Sequence, residues 1–241
     1  MKKILLLILF AVLVTASGCG AADNNVTKQE KVTITEKTEN IETETINIQL
    51  QIPQITDMQN TEAQAEFNKK FDSVYELKET LEREAEEAAI YSEQQGFPFW
   101  PYELFSKYNV SYNQRGYLSL TTTVYSFTGG AHGLTGKTTY NIDINSGNII
   151  PLQAMFNEGV DYKEIINKEI RNQIAQQPEI YFDGEMGFNT ISDEQNFYLK
   201  EGKIVVYFSL YEIAPYSSGI PEFEIPLSLI KDDLKPEYQV L

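Results

Sequence analysis

Tyr117-Leu118-Ser119-Leu120-Thr121-Thr122-Thr123-Val124-Tyr125-Ser126-Phe127, running into Thr128-Gly129-Gly130-Ala131-His132-Gly133, is the stretch that decides the fold. Leu118, Leu120, Thr122 and Val124 face one way and Tyr117, Ser119, Thr121, Thr123, Tyr125 and Phe127 the other, the period of two that marks a strand. Three glycines around the chain's one histidine then free the backbone to take positive φ and to approach a neighbour or ligand closely. Upstream, Asn109 to Tyr112 and the turn Asn113-Gln114-Arg115-Gly116 make the run half of a hairpin. Downstream, Thr138, Tyr140, Ile142 and Ile144 alternate again as far as a second turn, Asn145-Ser146-Gly147-Asn148. The expectation is an antiparallel meander with the glycine segment as one of its connections.

Working outward, Ile46, Ile48, Leu50 and Ile52 alternate with Asn47, Gln49 and Gln51 as a further half-buried strand. Thr61 to about Gln95 reads as one long helix, with Phe67, Phe71, Val74, Leu77, Leu81, Ala85 and Ala88 on one stripe and Gly96-Phe97-Pro98 as its stop. The glutamates of that helix radiate instead of converging, which makes them a solvated face and not a cation site. The aromatic residues that follow, Phe97, Phe99, Trp100, Tyr102 and Phe105, are expected to cap the core. Pro98 and Pro101 would fix a turn that buries alternate rings. A functional use of the same rings is stacking on a sugar or receiving a partner's side chain.

A second amphipathic helix is expected over Asp161 to Gln177, with Asp161 as its cap. Phe197 to Leu199 and Ile204 to Ile213 are expected to pair through Lys200-Glu201-Gly202-Lys203. Ile204 to Phe208 is apolar on both faces and so should be a central strand. Glu222 to Ile225 gives a last strand. The fold class that follows is α+β, a mostly antiparallel sheet with two amphipathic helices packed on it.

The first 19 residues read as a processing signal. Lys2 and Lys3 form a basic start, Ile4 to Val14 an apolar run too short to span a membrane, and Ala16-Ser17-Gly18-Cys19 a small-residue cleavage site. The ending resembles the lipobox of bacterial lipoproteins, which implies lipidation at Cys19 and a chain anchored outside the cytoplasmic membrane. Cys19 is the chain's one cysteine, which leaves no disulfide and no thiolate metal site. Residues 20–44 are too polar to pack a core and are expected to be a flexible linker.

Lys and Arg number 19 against 35 Asp and Glu, a formal charge of −16. Such a field repels nucleic acid and favours cationic partners; a basic protein is allowed, DNA is not. No cofactor is indicated. The glycine segment lacks the Gly-Lys-Ser/Thr ending of a phosphate-binding loop. With one histidine and no thiol, a zinc site would need carboxylates for its remaining ligands. Ser126, Asp143 and His132 supply the residue types of a hydrolytic triad, but the local pattern of a nucleophile elbow is missing. The plainer role for His132 is a ring nitrogen bonded to a backbone carbonyl, pinning the glycine loop. Asp143 to Asn148 begins like a calcium loop and departs from one at its sixth position, so a hairpin turn is the better account.

Several of these residues also form an ordered set. Gly129-Gly130-Ala131-His132-Gly133, then Asn141-Ile142-Asp143 with Ser146-Gly147, then Tyr211-Glu212-Ile213-Ala214-Pro215-Tyr216 with Gly219 and Ile225-Pro226, resembles the DUF3298 module. Ile48 to Ile55 with the long helix resembles the DUF4163 module that precedes it. The expected division is 45–125 for the second resemblance and 126–235 for the first. The tandem is similar to the extracellular part of lysozyme-sensing anti-sigma factors and to the accessory region of certain peptidoglycan deacetylases. Neither an anti-sigma segment before the tandem nor a deacetylase domain after it is expected here. What the resemblance implies is an envelope binding module for a cationic protein such as lysozyme, or for peptidoglycan. Its motif positions are Gly129, Gly130, His132, Gly133, Tyr211, Pro215 and Tyr216. The alternative is a cell-wall hydrolase or esterase that uses His132 with a nearby carboxylate or hydroxyl.

Overall fold

The computed structural model describes residues 28–241, so the leader, Cys19 and the start of the expected linker lie outside the described residues. The rest of that linker is a correction. Ile34–Glu42 forms strand β1, antiparallel to β2 (Ile46–Ile55), with Ile34 opposite Ile55 and Ile41 opposite Ile48. β1 is the edge of the sheet and most of its side chains are exposed, so its hydrogen-bonded backbone, and not an apolar pattern, makes it a strand.

From β2 the chain crosses over through two helices, α1 (Thr61–Asp72) and α2 (Val74–Gln95), and returns as β3 (Tyr102–Gln114) parallel to β2. The one long helix is therefore two. The Ser73 N–H and hydroxyl both donate to the Lys70 carbonyl, at 3.3 and 2.7 Å, a tightened turn that steps the axis. The apolar stripe survives the step in Phe67, Phe71, Val74, Leu81 and Ala85, while Leu77 is exposed. Asn60 caps α1 by accepting from the Ala63 N–H, and Gly96 closes α2 in the left-handed region at φ 69°.

β4 (Tyr117–Phe127), β5 (Leu134–Asp143) and the short β6 (Asn148–Ile149) complete a six-stranded sheet in the order β1-β2-β3-β4-β5-β6. The meander is as expected, joined at Arg115-Gly116, where φ of 55° and 85° gives the tight turn suited to a hairpin. The division expected at residue 125/126 falls inside β4, which pairs with β5 from Tyr117–Asp143 to Ser126–Leu134. A bulge between Val110 and Tyr112 sends Val110 toward the helix-covered core and Tyr112 into a second core.

That second core belongs to α3 (Tyr162–Ile174) and an antiparallel sheet of β7 (Phe197–Lys200), β8 (Lys203–Tyr207) and β9 (Glu222–Pro226), followed by the single turn α4 (Leu227–Ile230). Asp161 caps α3 as expected, accepting from the Glu164 N–H. β8 is the central strand, buried from Ile204 to Tyr207. It ends six residues short of the expected Ile213. There the Glu212 carboxylate accepts from the Ser209 N–H at 2.7 Å and folds the segment into a turn.

The two sheets meet on the face of β4 and β5 away from the helices. Ser119, fully buried, donates to Asn141 Oδ1 at 2.7 Å and accepts from the Leu199 N–H at 2.9 Å, while Asn141 Nδ2 donates to the Phe197 carbonyl at 2.9 Å. Tyr117 packs against the second core beside Tyr238. Burial, reinforced by Tyr238, Asp143 and Glu237, pushes its hydroxyl up to about 12 from the usual 10.0. The unfolded chain then releases this proton first, so Tyr117 withdraws stability as pH rises from about 10 to about 12. Urea midpoints measured across that window should fall less steeply in Tyr117→Phe than in the parent.

Candidate binding site

Between β4 and β5 the backbone doubles back through Gly129 and Gly130, at φ 98° and 92°, with open space where a side chain would sit. Gly133 is needed for a different reason. A Cβ there would collide with the Ser126 carbonyl and the Tyr125 ring, so the loop closes onto β4 because that position is bare. This presents the exposed His132 at the end of the sheet.

Two tyrosines from the turn after β8 meet it. His132 Nδ1 lies 2.9 Å from the Gly133 carbonyl and Nε2 lies 3.2 Å from the Tyr211 hydroxyl. A carbonyl can only accept, so Nδ1 carries the proton and Nε2 accepts from Tyr211. The imidazole stacks on Tyr216, centroids 4.0 Å apart and planes 20° apart, and the Tyr216 hydroxyl donates to the same Gly133 carbonyl at 3.0 Å. Pro215, extended at φ −65°, leads into the short turn that aims Tyr216. Tyr211 sits in the left-handed region at φ 66°, a conformation that disfavours a bulky residue, and its ring is nonetheless half exposed. The structure thus assembles His132, Gly133, Tyr211, Pro215 and Tyr216, with Gly129 and Gly130 shaping the loop.

The triad residues do not assemble. Ser126 is opposite Leu134 at one end of the β4–β5 pair and Asp143 is opposite Tyr117 at the other, roughly 30 Å away at the rise of a strand. Asp143 instead accepts from the Asn145 and Ser146 N–H groups in the β5–β6 turn, which makes that segment the hairpin turn expected of it.

Beside the histidine cluster, the face of the first sheet away from the helices forms a groove of about 480 Å³. Phe105 and Tyr125, opposite each other on β3 and β4, stack with centroids 5.7 Å apart and planes 14° apart along its floor. Tyr125 also packs on Gly133, so groove and cluster are continuous. Burial, then Glu103, raises its hydroxyl above the usual value. Sequence reading left this groove out, although its signal was present in the outward residues of each alternating strand, Gln49 and Gln51 among them. The aromatic cluster after α2 is a correction: Phe97 is 61% and Trp100 58% exposed, so neither caps the core. The chain leaves α2 at a left-handed Gly96 and meets the sheet only at Tyr102, which keeps the rings between them outside.

The family model described as Deacetylase PdaC matches residues 39–135, and the model described as Protein of unknown function (DUF3298) matches residues 153–228. The chain carries these two modules in tandem. The glycine–histidine loop lies in the first match and Tyr211, Pro215 and Tyr216 in the second, so the cluster is built across the junction of PdaC and DUF3298 modules. The peptidoglycan-N-acetylmuramic acid deacetylase PdaC of Bacillus subtilis (strain 168) is 28% identical over 140 residues, covering 56% of this chain and 30% of that protein. The anti-sigma-V factor RsiV of the same organism is 26% identical over 207 residues, covering 79% of this chain and 66% of that protein. The chain therefore spans less than two thirds of either relative. Two crystal structures share the fold. A DUF3298 member from Bacteroides fragilis NCTC 9343 superposes with a TM-score of 0.67 at 18% identity, covering 87% of this chain and 96% of its own. A DUF3298 protein from Pseudomonas aeruginosa PAO1 gives 0.52 at 19% identity, covering 87% and 95%.

Proposed function

We propose that this chain is a binding module of the bacterial cell envelope, held to the membrane by lipid at Cys19, that recognises a lysozyme-like protein or a peptidoglycan fragment and catalyses no reaction. The observation that carries the reading is the state of His132. Both ring nitrogens are engaged within the protein, one with a backbone carbonyl and one with a tyrosine hydroxyl, and among the described residues no carboxylate bonds the ring. A histidine general base gains from a carboxylate that orients the ring and stabilises its charge; here a backbone carbonyl stands in that place, and the imidazole is a stacked, hydrogen-bonded part of a surface. The aromatic rings around it supply contact area at little entropic cost, which suits recognition. The relatives' names, one a peptidoglycan-N-acetylmuramic acid deacetylase and one an anti-sigma-V factor, support the envelope part of this reading.

The hydrolase alternative has one specific point in its favour, the Tyr211 hydroxyl 3.2 Å from His132 Nε2. Calorimetric titration of the full chain in detergent separates the readings, with lysozyme at low and moderate salt and soluble muropeptides as a second titrant. Saturable heat that persists at moderate salt with either titrant, reduced in Tyr211→Phe, is the expected result. Heat that vanishes with salt would mean charge attraction alone, and no heat with either titrant would overturn the proposal.

A further inference from the structure

The groove on the open face of the first sheet has a chemistry of its own. We infer that it binds the sugar backbone of a β-linked, N-acetylated glycan, lying across the strands with its rings on Phe105 and Tyr125. This rests on the binding reading above and names its ligand class.

Strand register builds the site. Asn40, Gln49, Phe105, Tyr125 and Thr135 stand opposite one another on five successive strands and line the groove as one row. At the usual strand spacing that row spans about 19 Å, a linear path for a chain and not a pit for one small molecule. Its volume falls in the range of ligand sites. The row places two amides on one side and a hydroxyl on the other side of a stacked, near-parallel aromatic pair. Pyranose rings with equatorial substituents offer flat faces of C–H groups to such a pair, and hydroxyl and acetamido groups at the rim to the amides.

Charge narrows the choice. In a chain of formal charge −16, Lys107 is, among the described residues, the one charged side chain lining the groove, and Glu103 stands beside Tyr125 at its edge. Glu42 and Glu103 stand in the next row of the same face, at the edge of the groove and not along it, and a single lysine does not make an anion site. A neutral ligand fits. Tyr125 then hands the row on to Gly133, Tyr216 and His132, so a glycan crossing the sheet reaches the module junction at its end.

The test uses the full chain in detergent, titrated by calorimetry with the β-1,4-linked tetramer of N-acetylglucosamine, and in parallel with muropeptides and lysozyme. Gln49 is exposed, so Gln49→Ala keeps the fold; it should weaken tetramer binding by about fivefold, the worth of one hydrogen bond. Phe105→Ala should weaken it by about tenfold or more. No tetramer binding while muropeptides or lysozyme still bind would overturn the sugar inference and leave the binding module standing. Muropeptide binding that neither variant reduces would do the same. Silence with all three titrants would remove both.

Discussion

Asn141→Leu lowers the stability of the folded chain by about 3 kcal/mol, the largest effect expected of any single substitution at the seam between the sheets. Asn141 is 4% exposed and bridges Ser119 on β4 to the Phe197 carbonyl on β7. Leucine fills a similar volume but leaves the Ser119 hydroxyl without its acceptor and the Phe197 carbonyl without its donor, both away from water. Removing one member of a satisfied buried network costs the desolvation of those left behind, which exceeds the net worth of the bonds lost. Urea unfolding followed by circular dichroism should show a midpoint shifted well below the parent's. A midpoint within error of the parent would mean that the two sheets are held by apolar packing and that the polar bridge is incidental.

Gly133→Ala is expected to cost about 1–3 kcal/mol through overpacking, and to abolish ligand binding at the same time. The added methyl group meets the Ser126 carbonyl and the Tyr125 ring. Relief requires either that β5 part from β4 at its first residues or that Tyr125 swing off Phe105. The first displaces the carbonyl to which both His132 and Tyr216 bond; the second breaks the floor of the groove. Gly202→Ala, in the β7–β8 turn away from the site, is the control, because its φ of 72° strains an alanine while nothing lies within 4 Å of the added atom. It should lose stability and keep affinity. Thermal melts paired with muropeptide titration check both, and equal affinity in the two variants would separate the loop from binding.

How much of this was legible follows from what each residue reports on. The meander was readable because Leu118, Leu120 and Ile142 bury one face of their strands, and an alternating side-chain pattern records exactly one buried face well enough to place it. Ser119, Thr121 and Asn141 are buried too, on the other face, and polar residues at a sheet-to-sheet seam carry no periodic signal. β1 was missed for the converse reason: an edge strand is defined by backbone pairing that Ile34-Thr35-Glu36-Lys37 does not advertise. The break at Ser73 turns on one hydroxyl finding the Lys70 carbonyl, a local choice that the long apolar stripe conceals.

At the candidate site the residue types marked positions that the fold brings together. Glycines flanking the one histidine marked a loop of unusual conformation, and the motif positions some 80 residues later proved to lie against it. Contact across that separation is a property of the fold, as is the alignment of Gln49, Phe105 and Tyr125 on three strands. The same topology separates Ser126 from Asp143, which a list of residue types could not show.

The central claim is recognition without turnover, and one measurement bears on it most directly. Peptidoglycan fragments are incubated with the full chain, recovered, and weighed by mass spectrometry beside a sample incubated with His132→Ala. The account predicts that fragments return from both with their masses unchanged while being retained by the parent chain on an affinity matrix. Fragments cleaved or deacetylated by the parent and left intact by His132→Ala would contradict it, and would make the Tyr211–His132 pair the place to look for chemistry.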